Sequence, residues 1–314
     1  MNTRRILRAA SAALALATLA AGAAAALEVH SYASQVNDVD SVNSHWFETA
    51  EGIVLIDAQR LLPEAERLVR HIRATSDRSV AMIVVTHAHT DHFGGLPVLT
   101  AAFPEARVVM DRTTANSIRS DGRGFIDMRN DRHGERFAPQ SDLTEAIRDA
   151  EIIADGEVIE IGGVTLGFAV FGASEAESTT LVKVEGTDVT FVGDLINAGA
   201  PAVPFESLSR WLDQLDVIEA AFDGDERLYQ GHGPAPVYVS DVIDQRRFLT
   251  TLDDLVREAM RDGELTKAEE EDVVFRLERG WPFYEGVAGN TRREVLGFAV
   301  RTVAEQQADD TQTN

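Results

Sequence analysis

An apolar run, Val80–Thr86, leads directly into Thr86-His87-Ala88-His89-Thr90-Asp91-His92-Phe93-Gly94-Gly95, and this junction narrows the folds open to the chain. A run without polar alternation reads as a strand covered on both faces, so the fold must supply layers above and below it. Three of the chain's eight histidines fall within six residues, directly where that strand ends. Neutral imidazoles and carboxylates are the ligands that borderline divalent metals such as zinc prefer. Where a strand ends the chain turns, and neighbouring side chains can converge instead of alternating. His87 and His89 can then share one ion, while Asp91 and His92 point to a second position beside it.

The flanking pattern supplies the layers. Val42–Thr49 and Ile53–Asp57 read as strands around an Ala50-Glu51-Gly52 turn, and Pro63 opens a helix to about Ala74. A helix after Gly94-Gly95 leads to a strand at Arg107–Met110. Residues 111–150 are polar and poorly patterned, and read as helix plus loop inserted near a site mouth. Val158–Ile161 and Val164–Val170 flank a Gly162-Gly163 hairpin turn, and Thr179–Val184 and Val189–Val192 form a second pair. An amphipathic helix at Phe205–Ala220, a strand at Arg227–Gln230 and a mainly helical stretch from Val237 to Gln306 complete the chain. Strands with helices between and after them imply a layered α/β domain over 27–306, with 307–314 expected to be a disordered tail.

The first 26 residues differ: Arg4, Arg5 and Arg8 precede an Ala/Leu-rich stretch that ends in small residues, the pattern of a secretory signal peptide. The paired arginines also match a twin-arginine signal. A periplasmic or secreted protein without a stable membrane anchor is therefore expected. Cleavage after Ala26 would remove three Arg and no acid, taking the formal charge from −23 to −26. Such a charge argues against nucleic acid and anionic membranes as partners. With no cysteine, structural disulfides, thiolate zinc sites and a Cys nucleophile are excluded. No G-x-S-x-G competes as a nucleophile motif.

His87-x-His89-x-Asp91-His92 followed by glycines resembles the signature of the metallo-β-lactamase fold superfamily, and later landmarks arrive in its order. Val192-Gly193-Asp194-Leu195 resembles the family's metal-bridging aspartate, and Gln230-Gly231-His232-Gly233-Pro234 its last histidine ligand. Taken singly, either is also ordinary turn chemistry. The resemblance implies a four-layer αβ/βα sandwich and two divalent ions, zinc first, with manganese or iron as alternatives. Their ligands would be His87, His89, Asp91, His92, Asp194 and His232. The usual third histidine is absent: the turn reads Gly172-Ala173-Ser174-Glu175-Ala176-Glu177, so Glu175, or failing it Glu177, stands in that place. A carboxylate there is similar to the alkylsulfatase branch; the plainer alternative is a solvated turn residue.

The implied activity is hydrolysis of a small-molecule ester, thioester or lactone by metal-bound hydroxide, with Asp91 as ligand and proton acceptor. The Gly-Asp bridge and the missing cysteine are more similar to the glyoxalase II, lactonase and esterase branches than to true β-lactamases. Sulfate- or phosphate-ester hydrolysis, motivated by Glu175, and a degenerate metal-binding or sensing domain remain the alternatives. Of the other histidines, His45 reads as a packed strand-end residue before a pocket residue, and His133 as a loop residue; Trp281-Pro282-Phe283-Tyr284 reads as core or lid packing.

Overall fold

The computed structural model describes residues 27–34, 42–281 and 291–313. The leader expected at 1–26 and Pro282-Phe283-Tyr284 lie outside the described residues. The first half of the chain builds a six-stranded sheet, in spatial order β1 (His30–Ala33), β2 (Asn43–Glu48), β3 (Ile53–Ile56), β4 (Val80–Val84), β5 (Arg107–Asp111) and β6 (Glu151–Ile153). β1 to β3 pair antiparallel, and β3 to β6 pair parallel. The second half builds a five-stranded sheet from β7 (Val158–Ile161), β8 (Val164–Gly172), β9 (Ser178–Val184), β10 (Val189–Gly193) and β11 (Arg227–Gln230), ordered β11-β10-β9-β8-β7. Only β10 and β11 pair parallel within it.

The two-residue period of the strands sorts their side chains into layers. Val54, Ile56, Met82 and Val84 face inward and pack with Phe168, Val182 and Phe191 of the other sheet. Ile53, Leu55, Ile83 and Val85 face outward, against α1 (Leu62–Thr75) and α3 (Leu96–Ala102). On the far side of the second sheet, Leu181 and Val192 pack with α7 (Leu208–Ala221), α8 (Val239–Ala259), α9 (Lys267–Gly280) and α10 (Arg292–Thr313). Burial of each such Val, Leu, Ile or Phe contributes roughly 1.5–3 kcal/mol, so both faces of each sheet favour apolar residues. The result is the expected αβ/βα sandwich, and it explains why β3, β4 and β10 read as continuous apolar runs.

Three details depart from the sequence pattern. β1 and β6 leave no signal in it, because they are four and three residues long and Ile153 is their one buried residue. The polar stretch 111–150 contains more helix than loop: α4 (Arg112–Ser120), α5 (Phe125–His133) and α6 (Gln140–Ala146), with the short α2 (Thr90–Phe93) lying earlier. Ala115, Ile118, Ile126, Phe137, Ala138, Leu143 and Ile147 are its buried core residues, too scattered to show as one period. Finally, α10 continues to Thr313 through the segment expected to be a tail. The Gln306 amide donates to Pro204 O at 2.6 Å and accepts from Leu208 N at 3.0 Å, and Gln307 donates to Asp253 Oδ1 at 2.8 Å. No glycine or proline follows Gly297 to stop the helix first.

The two sheets meet closely at the end where β4 and β10 finish. Thr180 N donates to Thr86 O at 2.7 Å, tying the sheets together. Gly193 sits at φ +52°, and a Cβ there would lie 3.0 Å from the Thr86 side chain. Only glycine satisfies both the left-handed backbone and this approach.

Candidate metal centre

Every residue singled out from the sequence as a ligand lies where a strand ends or at the turn beyond it. His87 and His89 follow β4, Asp91 and His92 open α2, Asp194 follows β10, and His232 follows β11. Glu175 lies in the turn between β8 and β9. The structure brings all seven together as two adjoining groups. His87, His89, Glu175 and Asp194 form one, and Asp91, His92 and His232 the other, with one donor atom per residue and all donors of a group within 4.8 Å of one another. In the first group His89 Nδ1 lies 2.9 Å from Glu175 Oε1, and His87 Nε2 is 3.7 Å from Glu175 Oε2. In the second, His232 Nε2 lies 3.2 Å from Asp91 Oδ2.

Asp194, of the first group, also reaches the second. Its Oδ2 is 3.8 Å from His87 Nε2, 3.4 Å from His92 Nε2 and 3.1 Å from His232 Nε2. Gly231 makes this possible: a Cβ there would overlap Asp194 Oδ1 and fall 2.7 Å from His92 Cε1. Between the two candidates for the missing histidine, Glu175 faces the cluster. Glu177 turns away to accept from the Ser117 hydroxyl and pairs with Arg123 Nε at 3.4 Å.

Behind the ligands stands a shell that the sequence pattern does not reveal. Asp57, at the end of β3, accepts from Thr86 N at 2.8 Å with Oδ1, and its Oδ2 lies 2.8 Å from His92 Nδ1. A carboxylate only accepts, so Nδ1 carries the proton and Nε2 presents its lone pair to the site. The Thr86 hydroxyl donates to Asp57 and lies 3.0 Å from His87 Nδ1. Arg60 pairs with Asp91 at 3.0 Å between Nη2 and Oδ1, both side chains being buried. Asp57 carries one usable sequence signal, a lone carboxylate closing the apolar strand Ile53–Ile56 just as Asp194 closes β10. Arg60 carries none. His45 is packed as expected: its Nε2 faces Gln230 O at 2.9 Å and its Nδ1 faces the Ser31 hydroxyl at 2.7 Å, bracing the strand that leads to His232.

The electrostatics follow from burial. Desolvation pushes His87 well below the usual imidazole range, and the neighbouring His92 adds to this, so it stands as a neutral donor. Burial by itself would raise Asp91, but the Arg60 guanidinium, together with the His92 and His232 rings, outweighs it and holds the carboxyl well below the usual carboxylate range. The donor set fits divalent cations. Among the described residues, His87 Nε2, His92 Nε2, Glu175 Oε2 and Asp194 Oδ1 are buried without a hydrogen-bond partner. Buried polar atoms left unpaired cost roughly 1–3 kcal/mol each, and four converging on one spot are accounted for by ions.

Comparison with known proteins agrees with this geometry. A family model described as the Metallo-beta-lactamase superfamily matches residues 37–253, and the chain belongs to that superfamily. It is 26% identical over 196 residues to the lactamase-like protein ptaB of Pestalotiopsis fici, covering 62% of this chain and 51% of that protein. It is 23% identical over 250 residues to an atrochrysone carboxyl ACP thioesterase of Aspergillus fumigatus, covering 76% of this chain and 69% of that protein. The chain thus spans about half the length of the first of these relatives. The solved structure of a beta-lactamase domain protein from Burkholderia ambifaria superposes with a TM-score of 0.64 at 17% identity, covering 90% of this chain and 86% of that one. Superfamily membership and the His/Asp/Glu cluster together fit a metal-dependent hydrolase that uses divalent ions. No helix among the described residues is long and apolar enough to cross a membrane.

Proposed function

We propose that this protein is an exported hydrolase of a small ester, thioester or lactone, working with two divalent ions, zinc in the first place. The observation that carries the reading is Asp194 Oδ2, which lies within 3.8 Å of an imidazole nitrogen of each donor group. His87, His89, Glu175 and Asp194 would hold one ion, and Asp91, His92, His232 and the shared Asp194 the other. When bound, such a pair lowers the pKa of water and stabilises developing oxyanion charge. The thioesterase relative supports acyl chemistry as the first choice.

The chain's own residues prepare the site. Asp57 fixes the His92 tautomer, and Thr86 fixes the ring of His87. Arg60 occupies Asp91 Oδ1 and leaves Oδ2 facing the site. That oxygen takes a proton from water as the hydroxyl joins the acyl carbon, and passes it to the departing oxygen or sulfur. Arg60 weakens Asp91 as a base, which suits a group that must release its proton again. Glu175 replaces a neutral ligand by an anion, and favours harder ions and sulfate or phosphate esters as a second reading.

The test is metal content per chain by elemental mass spectrometry, in the wild type and in Glu175→Gln, followed by a screen of esters, thioesters and lactones beside aryl sulfates and phosphates. Two ions in the wild type, one in the variant and turnover of carbonyl substrates are expected. One ion or none in the wild type after reconstitution would overturn the dinuclear reading.

A further inference from the structure

Beside His89 lies a cavity of about 60 Å³, room for several water-sized groups, bounded by Ala88, Phe93, Phe125, Ile126 and Ala176. Phe125 and Phe205 meet the His89 ring edge-on, with centroids at 6.0 and 5.7 Å. Phe205 is 43% exposed. His89 belongs to the first donor group, so the cavity opens directly beside that group.

The charges at its rim are already paired. Arg123 is the one guanidinium or ammonium among the described residues lining it. Its Nε pairs with Glu177 at 3.4 Å, its Nη2 pairs with Glu206, and its guanidinium carbon lies 5.8 Å from the centre of the Phe125 ring. The Ser117 hydroxyl holds the other Glu177 oxygen in place. Asp121 also lines the cavity, but its two oxygens accept from the backbone N–H groups of Ile126 and Asp127 at 2.9 and 3.0 Å. One positive and three negative groups therefore face an apolar pocket wall.

We propose that this arrangement makes Arg123, Glu177 and Glu206 specificity-determining residues: the cavity accepts a neutral, apolar substituent and rejects one that ends in a carboxylate. The inference rests on the hydrolase reading of the same site. An entering anion must displace a carboxylate from Arg123 and then remain beside it, whereas an alkyl group loses only water from the phenylalanine wall. Arg123 also joins three segments, the α4–α5 loop, the β8–β9 turn and the approach to α7, so the wall is held in one shape around the entrance.

The test uses two non-hydrolysable probes of similar size, butyranilide and succinanilate, titrated calorimetrically into the metal-loaded wild type. Physiological salt is used, so that the long-range field of the acidic surface is screened. Butyranilide should bind about tenfold or more tightly than succinanilate, as one charge-assisted interaction corresponds to. In the double variant Glu177→Gln/Glu206→Gln, Arg123 is released and succinanilate should gain about tenfold; adding Arg123→Gln should abolish that gain. Equal binding of the two probes, preference for succinanilate, or no measurable binding of butyranilide by the wild type overturns the proposal, whether or not the variants fold. An unchanged ratio in the folded double variant overturns it as well. Calorimetry needs no turnover: discrimination between the probes without hydrolysis of any ester, thioester or lactone would refute the hydrolase reading and leave the pocket's preference standing.

Discussion

Replacing Asp57 by Asn isolates the shell behind the ligands. Asp57 is 2% exposed and sits at φ +63°, a conformation that Asn tolerates as well as Asp, so the backbone has no reason to move. The carboxylate accepts on both sides, from Thr86 N at 2.8 Å and from His92 Nδ1 at 2.8 Å. An amide can accept on one side only. If its oxygen keeps Thr86, its NH₂ group faces His92 Nδ1 and forces that nitrogen to accept. The proton then moves to Nε2, the nitrogen 3.4 Å from Asp194 Oδ2, and the lone pair is withdrawn from the site. If the amide turns over, two donors oppose each other at Thr86. Loss of a partner of this kind lowers metal affinity by about 10- to 100-fold, or roughly 1.4–2.7 kcal/mol. Competition with a chelator of known affinity, at fixed pH, measures it directly. Should Asp57→Asn bind metal as the wild type does while losing only thermal stability, the tautomer argument is wrong and Asp57 is a structural brace.

Gly231→Ala should lose bound metal while keeping its far-ultraviolet circular dichroism, because the nearest atoms the added Cβ would meet are those of Asp194 and His92; retention of two ions would refute the contact. Burial lowers His45 to about 4. Its folded value lies below its unfolded one, so the stability it contributes is complete above about pH 6.5 and is lost as pH falls through about 4, at a cost of about 3 kcal/mol. Urea unfolding of the wild type and His45→Gln across that window should show a shallower pH dependence in the variant, and parallel curves would contradict it. Export is checked by N-terminal sequencing of the protein recovered outside the cytoplasm, which should begin at Leu27; an intact Met1 there would exclude a cleaved leader.

How far the sequence can be read depends on distance along the chain. His87, His89, Asp91 and His92 are legible because one strand end and one helical turn bring them together within six residues, whatever the rest of the fold does. The strands are legible where an apolar run or a hairpin turn marks them, in β2 to β5 and β7 to β11, and not in the short β1 and β6. Asp194 and His232 are legible only as ordered landmarks behind the histidine motif, since Gly-Asp and Gly-His-Gly alone are common turns.

Periodicity and short spacing were enough to indicate the layered class and the local cluster of candidate ligands. Packing decided that Glu175 and not Glu177 joins the cluster, that Asp57 and Arg60 stand behind it, and that Arg123 is neutralised at the cavity rim. These are pairings between groups far apart along the chain, with Asp91 meeting Arg60 across 31 positions and Glu177 meeting Arg123 across 54. No local spacing encodes such pairs, because they exist only once β3 and β4 have paired within their sheet, for Asp57 and Arg60, or the polar helices have packed beside the β8–β9 turn, for Arg123.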